Sequence, residues 1–580
     1  MHLKELFLVA LSLIIIFIVF YNSPVLHNFW MYDDLYVLKF ATDYSFFEYI
    51  FNPHIWSQFS SANITPLVIV SYAFDYFIFD FSPQGFYLHS LLALFILSLL
   101  TYMIMRMYIS IGASLCGLLF LISSQVFAAS SEILMFRHYI EGAVFSCLSV
   151  LFYIVALRSN RFYLTILTSI FYLLAMLCKE VYIPLIIIFV FLPEGYIGQR
   201  LKKSVLPFFA LGIYFSYRSW MLGSIVGGYS GSYSMFDIPA IFSQIYTVGS
   251  YLQSAIIPYD QMIITYLALT FLIFIVLINY IQNKDFKNFV FVLCCIISIV
   301  VPLLPISSFV STKSMISYRF AFPSGLLCAV LIGVACSYVT NITKLSTSKY
   351  RVFCPKLIFA LLAIMIIPAS WANHQWIKQR RIDEIRPLTA ENIFLWTNSQ
   401  PKVLIRSTPT LGVHYYKNLA YFHKKIKGSP PPTVIAHTYG LFSEFKGSNN
   451  RESSFYSYDP DAKTIIEITS QMGSQHPVLQ QEMNRESFHI DFRLSQGVIN
   501  LDLETDHTQG RFFMLLGYRP GVYCDALVFP PTHTLNFESN FFAHMVCSLR
   551  FGWDPADEGQ AIYLSPEWMI DFSQTRHINL

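Results

Sequence analysis

About eleven stretches of this chain are long and apolar enough to cross roughly 30 Å of hydrocarbon, and few folds are open to such a chain. They are residues 6–22, 86–105, 109–127, 139–157, 162–178, the short 181–193, 205–221, 262–281, 289–305, 320–340 and 357–371. Only 13% of the 580 residues are charged and 55% are hydrophobic, against about 25% charged in an ordinary soluble domain. The expected fold is an α-helical polytopic membrane protein of about 11 transmembrane helices. A net charge of +3 without a basic tract gives no reason to expect a nucleic-acid partner.

The basic residues of the short connections set the orientation. Lys4, Arg106, Arg158 with Arg161, the group Arg200, Lys202 and Lys203, the pair Lys284 and Lys287, and the group Lys344, Lys349, Arg351 and Lys356 occupy alternate connections, which are therefore cytoplasmic. The amino terminus is then cytoplasmic too. The first run reads as a retained anchor, because no small-residue cleavage site follows it before Trp30. Residues 238–257 break the pattern: as a crossing they would put Lys284 outside, and they carry Gln244 and Gln253. They are expected to lie along the outer surface. Most of the ten cysteines lie in or beside apolar runs and show no metal-ligand spacing.

With that arrangement Asp33, Asp34, Glu132, Arg137, Lys179, Glu180, Arg218 and Arg319 all fall on the outer face, as does everything after Trp371. Any one of them has a bland explanation as a snorkelling anchor, or, for the two aspartates, as an ordinary loop acid. Charges that collect at the outer ends of most spans are better explained by an anionic substrate. Asp33 and Asp34 follow Phe29, Trp30, Met31 and Tyr32. Mutual repulsion and partial desolvation would raise the proton affinity of one of them, as a general base needs.

Several short motifs recur in a known order: Tyr32-Asp33-Asp34 after the first span, Thr65-Pro66-Leu67, Ser82-Pro83-Gln84-Gly85-Phe86, Glu132, Cys178-Lys179-Glu180, and Tyr318-Arg319-Phe320 with Pro323-Ser324. On these residues the first 381 positions resemble the GT-C glycosyltransferases, and most of all the protein O-mannosyltransferases, the tetratricopeptide-carrying O-mannosyltransferases and their bacterial relatives. Thr65, Tyr87 and the pair Phe127-Ala128 stand where those families often have Arg, His and His-Pro. The resemblance implies a GT-C-like membrane domain and inverting sugar transfer from a polyprenyl-phosphate donor, at the outer face of a bacterial inner membrane. It also implies Asp33 as base, with Asp34 orienting it or binding acceptor, and Glu132 completing the carboxylates or touching a divalent metal such as Mg or Mn. Lys179, Arg218 and Arg319 with Tyr318 would hold the donor phosphate, Glu180 would hold Lys179, and Arg137 is a further candidate. The alternative is a transporter or flippase of a lipid-linked glycan, although neither repeat symmetry nor midplane charges are visible.

The outer connection, residues 23–83, is rich in aromatics, which membrane-lying helices explain. Sugar stacking is the sharper alternative and would bring His54 and Trp56 near the acceptor, whether glycan, lipid or protein. Gly227 to Ser232 is no phosphate loop, because no strand precedes it and no Lys-Ser/Thr follows. The membrane domain is expected over 1–374. Residues 375–580 read as an extracytoplasmic, β-rich, sandwich-like domain from short alternating runs after Thr464. Cys524 and Cys547 are its only cysteines, so a disulfide between them is expected.

Overall fold

The computed structural model describes residues 3–16, 25–60, 62–225, 246–249, 251–252, 286–300, 303, 316–345, 372, 375–379 and 381–398. Beyond these it describes the elements named below, with residues 428–429, 462–463 and 565–566. The expected spans 262–281 and 357–371 and the loop 227–232 lie outside the described residues, as does most of 238–257. The chain divides into two units. The first holds Met1–Asn28 and Phe40–Arg380, the second Phe29–Lys39 and Arg381–Leu580.

In the first unit α1 (Leu3–Ile16) precedes the aromatic outer connection, which is helical almost throughout. It contains α2 (Asp34–Asp43), which begins in the second unit, then α3 (Phe46–Phe51), α4 (Pro53–Phe59) and α5 (Pro66–Phe79). Then follow α6 (Pro83–Arg106), α7 (Ile111–Ser123), α8 (Gln125–Glu132), α9 (Arg137–Ser159), α10 (Phe162–Cys178), α11 (Leu185–Phe191), α12 (Ile197–Leu222), α13 (Phe286–Val300) and α14 (Phe322–Leu345). Pro66 and Pro83 stand in the first turns of α5 and α6, where proline's missing N–H costs nothing. Three described stretches, Pro83–Arg106, Leu134–Ser159 and Tyr318–Ser337, are long and apolar enough to cross a membrane. At about 1.5 Å per residue α6 alone reaches about 36 Å. Such helices, with this composition, belong to an integral membrane protein.

The run 109–127 does not form the continuous span that its hydropathy suggests. Ser124 is extended (φ −72°, ψ 149°), its hydroxyl donates to the Leu121 carbonyl at 2.7 Å and accepts the Phe127 amide at 3.3 Å, so it ends α7 and caps α8. The two helices bend by 51°. Every residue of α8 is buried, and the bend carries Glu132 inward.

Ion pairs sort the helix ends of this unit into two groups. Arg106 at the end of α6 binds Glu5 at the start of α1 (2.6 Å), and Arg158 at the end of α9 binds Glu194 ahead of α12 (2.8 Å). Arg158 also donates to the Met107 carbonyl. These ends share one side, as the alternation of Lys and Arg requires. At the opposite ends lie Glu132, Arg137, Lys179, Arg218 and Arg319.

The second unit opens with α15 (Arg386–Thr397). β1 (Lys402–Arg406), α16 (Val413–Lys427) and β2 (Thr433–Val434) form a parallel βαβ crossover, extended by β3 (Ser454–Asp459) and β4 (Thr464–Glu467) in the order β2-β1-β3-β4. This portion adds a helix, α16, within the tail expected to be β-rich. The amphipathic run of α16, with Leu419 and Phe422 buried and Lys424, Lys425 and Lys427 in its last turn, carries the helix period that short-strand reasoning passed over.

Two further sheets follow. One has the order β10-β7-β6-β14, from β6 (Phe488–Ser495), β7 (Val498–Thr505), β10 (His533–Glu538) and β14 (Arg576–Asn579). The other runs β5-β12-β11-β8-β9, from β5 (Gln480–Glu482), β8 (Arg511–Arg519), β9 (Val522–Phe529), β11 (Ser548–Asp554) and β12 (Ile562–Leu564), with β13 (Trp568–Met569) on β11. Alternate residues Ile490 and Phe492, and Leu549, Phe551 and Trp553, are buried, and the Phe492 and Phe551 rings meet across the sheets at 6.1 Å. The Cys524–Cys547 pairing lies outside the side chains described.

Candidate functional site

The acidic motif is a braced turn in the second unit. Asp34 is fully buried and its carboxylate accepts the Met31 amide at 2.9 Å, while its own amide donates to the Met31 carbonyl at 3.0 Å. Asp33 is half-buried, and its carbonyl accepts the Val37 amide at 3.0 Å, the first turn of α2. Between Met31 and Asp33 the backbone passes through Tyr32 at φ 49°, a left-handed conformation unusual for a bulky side chain. Asp34 therefore has a structural role in the turn. Residues 29–39 group with the carboxyl-terminal portion through Phe29 against Trp396 (6.4 Å), Lys39 over the Tyr421 ring (4.7 Å) and Asn392, whose amide donates to the Trp30 carbonyl at 2.8 Å.

The cations lie in the first unit. Lys179 follows α10 in extended conformation (φ −162°, ψ 139°) and Glu180 opens a short helical turn. Among the described residues no salt bridge joins Glu180 to Lys179, although its charge acts on the ammonium. Glu180 pairs instead with Arg218 and accepts the Ile64 amide at 3.3 Å. Arg218, buried near the end of α12, also donates to the carbonyls of Ile225 (3.0 Å) and Ala62 (3.2 Å). Lys179 is buried with its ammonium 5.7 Å from the centre of the Tyr139 ring. Burial, helped by Arg319 and Arg218 and opposed by Glu180, pulls its pKa down to about 8. Arg319 lies 4.8 Å over Phe320 and 5.9 Å from the Phe136 ring, with a donor 3.7 Å from the Met135 sulfur. Among the described residues no carboxylate pairs with Lys179 or Arg319. Arg218 and Arg319 each act electrostatically on Lys179, and such a gathering of cations suits an anion.

The remaining candidates are placed differently. Glu132 is fully buried at the end of α8, and the Asn28 amide donates to its carboxylate (3.3 Å) and its carbonyl (3.4 Å). Tyr318 is buried between Tyr251 and Trp376. Arg137 has no exposure. It pairs with Asp75, donates to Ser71, Ser90 and the Phe86 carbonyl, and lies over the Tyr72 and Phe86 rings, a set of bonds that already occupies its guanidinium. His89 touches Asp75 (2.7 Å) and lies 3.7 Å from Glu141 in the same network. His54 is exposed on α4. Trp56 is fully buried, with its indole donating to the Asn63 carbonyl at 2.9 Å and its ring against Phe59, so it is core rather than a sugar platform.

Sequence reading missed Asn28, Asn392 and the Asp75–His89–Glu141 network. Asp75, His89 and Glu141 carried a signal, since ionisable residues inside apolar runs are costly unless paired. Asn28 and Asn392 carried none. No group of three or more His, Cys, Asp or Glu that could hold a metal stands among the described residues.

No family model matches the sequence, and no curated protein matches it. Two crystal structures of ArnT from Cupriavidus metallidurans are similar at a low level. The one bound to undecaprenyl phosphate has a TM-score of 0.39 and 11% identity, covering 80% of this chain and 95% of that one. The apo form has a TM-score of 0.37 and 10% identity, covering 81% and 95%. Likeness of this degree carries no assignment of activity.

Proposed function

We propose that this protein is a GT-C-type membrane glycosyltransferase that moves a sugar from a polyprenyl-phosphate carrier to an acceptor at the outer face of a bacterial inner membrane. The observation that carries the reading is the positive charge gathered at buried Lys179 and Arg218 and half-buried Arg319. Cleavage of a sugar–phosphate bond turns a phosphodiester of about one negative charge into a monoester of about −1.5 to −2. Cations already fixed and desolvated favour the more charged state, and so the transition state that leads to it. Arg218 has its donors committed to Glu180 and two carbonyls, so Lys179 and Arg319 are the phosphate-holding pair and Arg218 adds field. Asp33 takes the acceptor proton. Asp34, which shapes the turn, orients it. Glu132, held by Asn28, completes the acid set or meets a divalent metal such as Mg or Mn.

A flippase would also need cations for a lipid phosphate, but it would have no use for a general base. The test is binding of a short-chain polyprenyl phosphate to the full-length protein in nanodiscs. Lys179→Gln and Arg319→Gln should each weaken binding about tenfold or more, since a charge-assisted bond is worth about 1.5–3 kcal/mol. Undiminished binding in both variants would refute the phosphate assignment. Mass spectrometry of envelope glycans and glycoproteins with and without the protein then names sugar and acceptor.

A further inference from the structure

The carboxyl-terminal unit has no assigned task, and the acidic turn has a conformation that needs an outside cause. Both are met at Asn392. It lies on α15, is fully buried, and donates its side-chain amide to the Trp30 carbonyl at 2.8 Å. Two residues on, Tyr32 sits at φ 49°, where a side chain with a Cβ is strained. Strain of this kind persists only where surrounding contacts over-determine it.

Here the contacts come from both sides. Asp34 closes the turn from within by binding Met31 twice, once through its carboxylate and once through its amide. From α15, Asn392 holds Trp30, the Thr389 hydroxyl lies 4.0 Å from the Met31 sulfur, and Trp396 packs on Phe29. Without the α15 contacts, the cheapest relaxation is a rotation of Tyr32 back to negative φ. That rotation would redirect Asp33, the next residue.

We propose that Asn392 is a positioning residue: by fixing the Trp30 carbonyl it holds Tyr32 in the left-handed conformation and so aims Asp33. The carboxyl-terminal unit thereby acts as the brace of the acidic motif. The inference rests on the proposed role of Asp33 as base for its functional meaning, though not for its structural content.

Hydrogen exchange on the full-length protein in nanodiscs, read at the Asp34 amide, tests it in the wild type, in Asn392→Leu, and in Asn392→Leu with Tyr32→Asn. Asn392→Leu should speed exchange about tenfold, a local opening made easier by one lost hydrogen bond. Tyr32→Asn, which tolerates φ > 0, should recover most of that protection in the same chain. A general loss of stability would not be rescued in this way. Unchanged exchange in Asn392→Leu, or no recovery in the double variant, overturns the proposal. Should Asn392→Leu fail to fold, Asn392→Ser, with its shorter donor, gives the same reading at smaller amplitude. Sugar transfer, followed by glycan mass in cells, should fall in Asn392→Leu and return with Tyr32→Asn. If the wild type transfers no sugar, the glycosyltransferase reading fails while the exchange result still decides the brace.

Discussion

At the scale of single residues, the chemistry separates neighbours that look alike in sequence. Asp33 and Asp34 are adjacent, and the second carboxylate closes the turn on Met31. Asp34→Ala should therefore destabilise the protein by about 1–3 kcal/mol, the cost of a buried amide left without its acceptor, seen as a lower melting temperature. Lys179 makes a pH-dependent case. Its ordinary value is about 10.4, and burial lowers it to about 8. The charged form is thus lost as pH rises through about 8, and affinity for a polyprenyl phosphate should fall there, by up to about tenfold per unit if the ammonium is required. Stability runs the other way. The unfolded chain binds the proton more tightly between about pH 8 and 10.4, so the share due to Lys179 is fully present above that window and is lost as pH falls through it. Titrating binding and melting temperature over pH 7 to 10 checks both signs.

At the scale of elements, close approaches and pairings made far apart in the chain decide where the charges go. Gly142 on α9 stands where a Cβ would come 2.3 Å from the Tyr182 ring, next to the Lys179–Glu180 segment. Gly142→Ala should push that turn away, cost about 1–3 kcal/mol, and weaken phosphate binding without removing any charge. Glu180 and Arg218 join the Ala62–Ile64 segment to the end of α12. Arg218→Lys keeps the charge but loses the fork, so proteolysis between residues 60 and 66 should speed up while phosphate binding changes little. The apolar runs behind α6, α9, α10 and α14 were plain in the sequence because hydropathy needs only neighbours. The break at Ser124 was less plain, since a serine within a long apolar run fits a continuous span equally well until its hydroxyl is seen capping α8. The Arg137–Asp75 pair joins residues 62 apart, and Asn392 reaches Trp30 across 362. Partnerships at such separations leave no local pattern, so Arg137 resembled a phosphate ligand and the end of the chain looked unrelated to its beginning.

At the scale of the molecule, the first unit sorts its helix ends into two sets, one joined by Glu5–Arg106 and Arg158–Glu194, the other holding the buried acids and cations. Reporter fusions should accordingly place Tyr318 outside and Arg106 and Arg158 inside. Stability depends on the buried network as well. Arg137→Leu, which takes the guanidinium from the buried Asp75 carboxylate and leaves it His89, should cost up to about 3–5 kcal/mol and lower the yield of folded protein. Sugar transfer gives the most direct test of the whole. In cells whose only copy of the protein is Asp33→Asn, produced at the wild-type level, mass spectrometry of the envelope glycans should find the wild-type sugar increment missing; its persistence would contradict the assignment of Asp33 as the base.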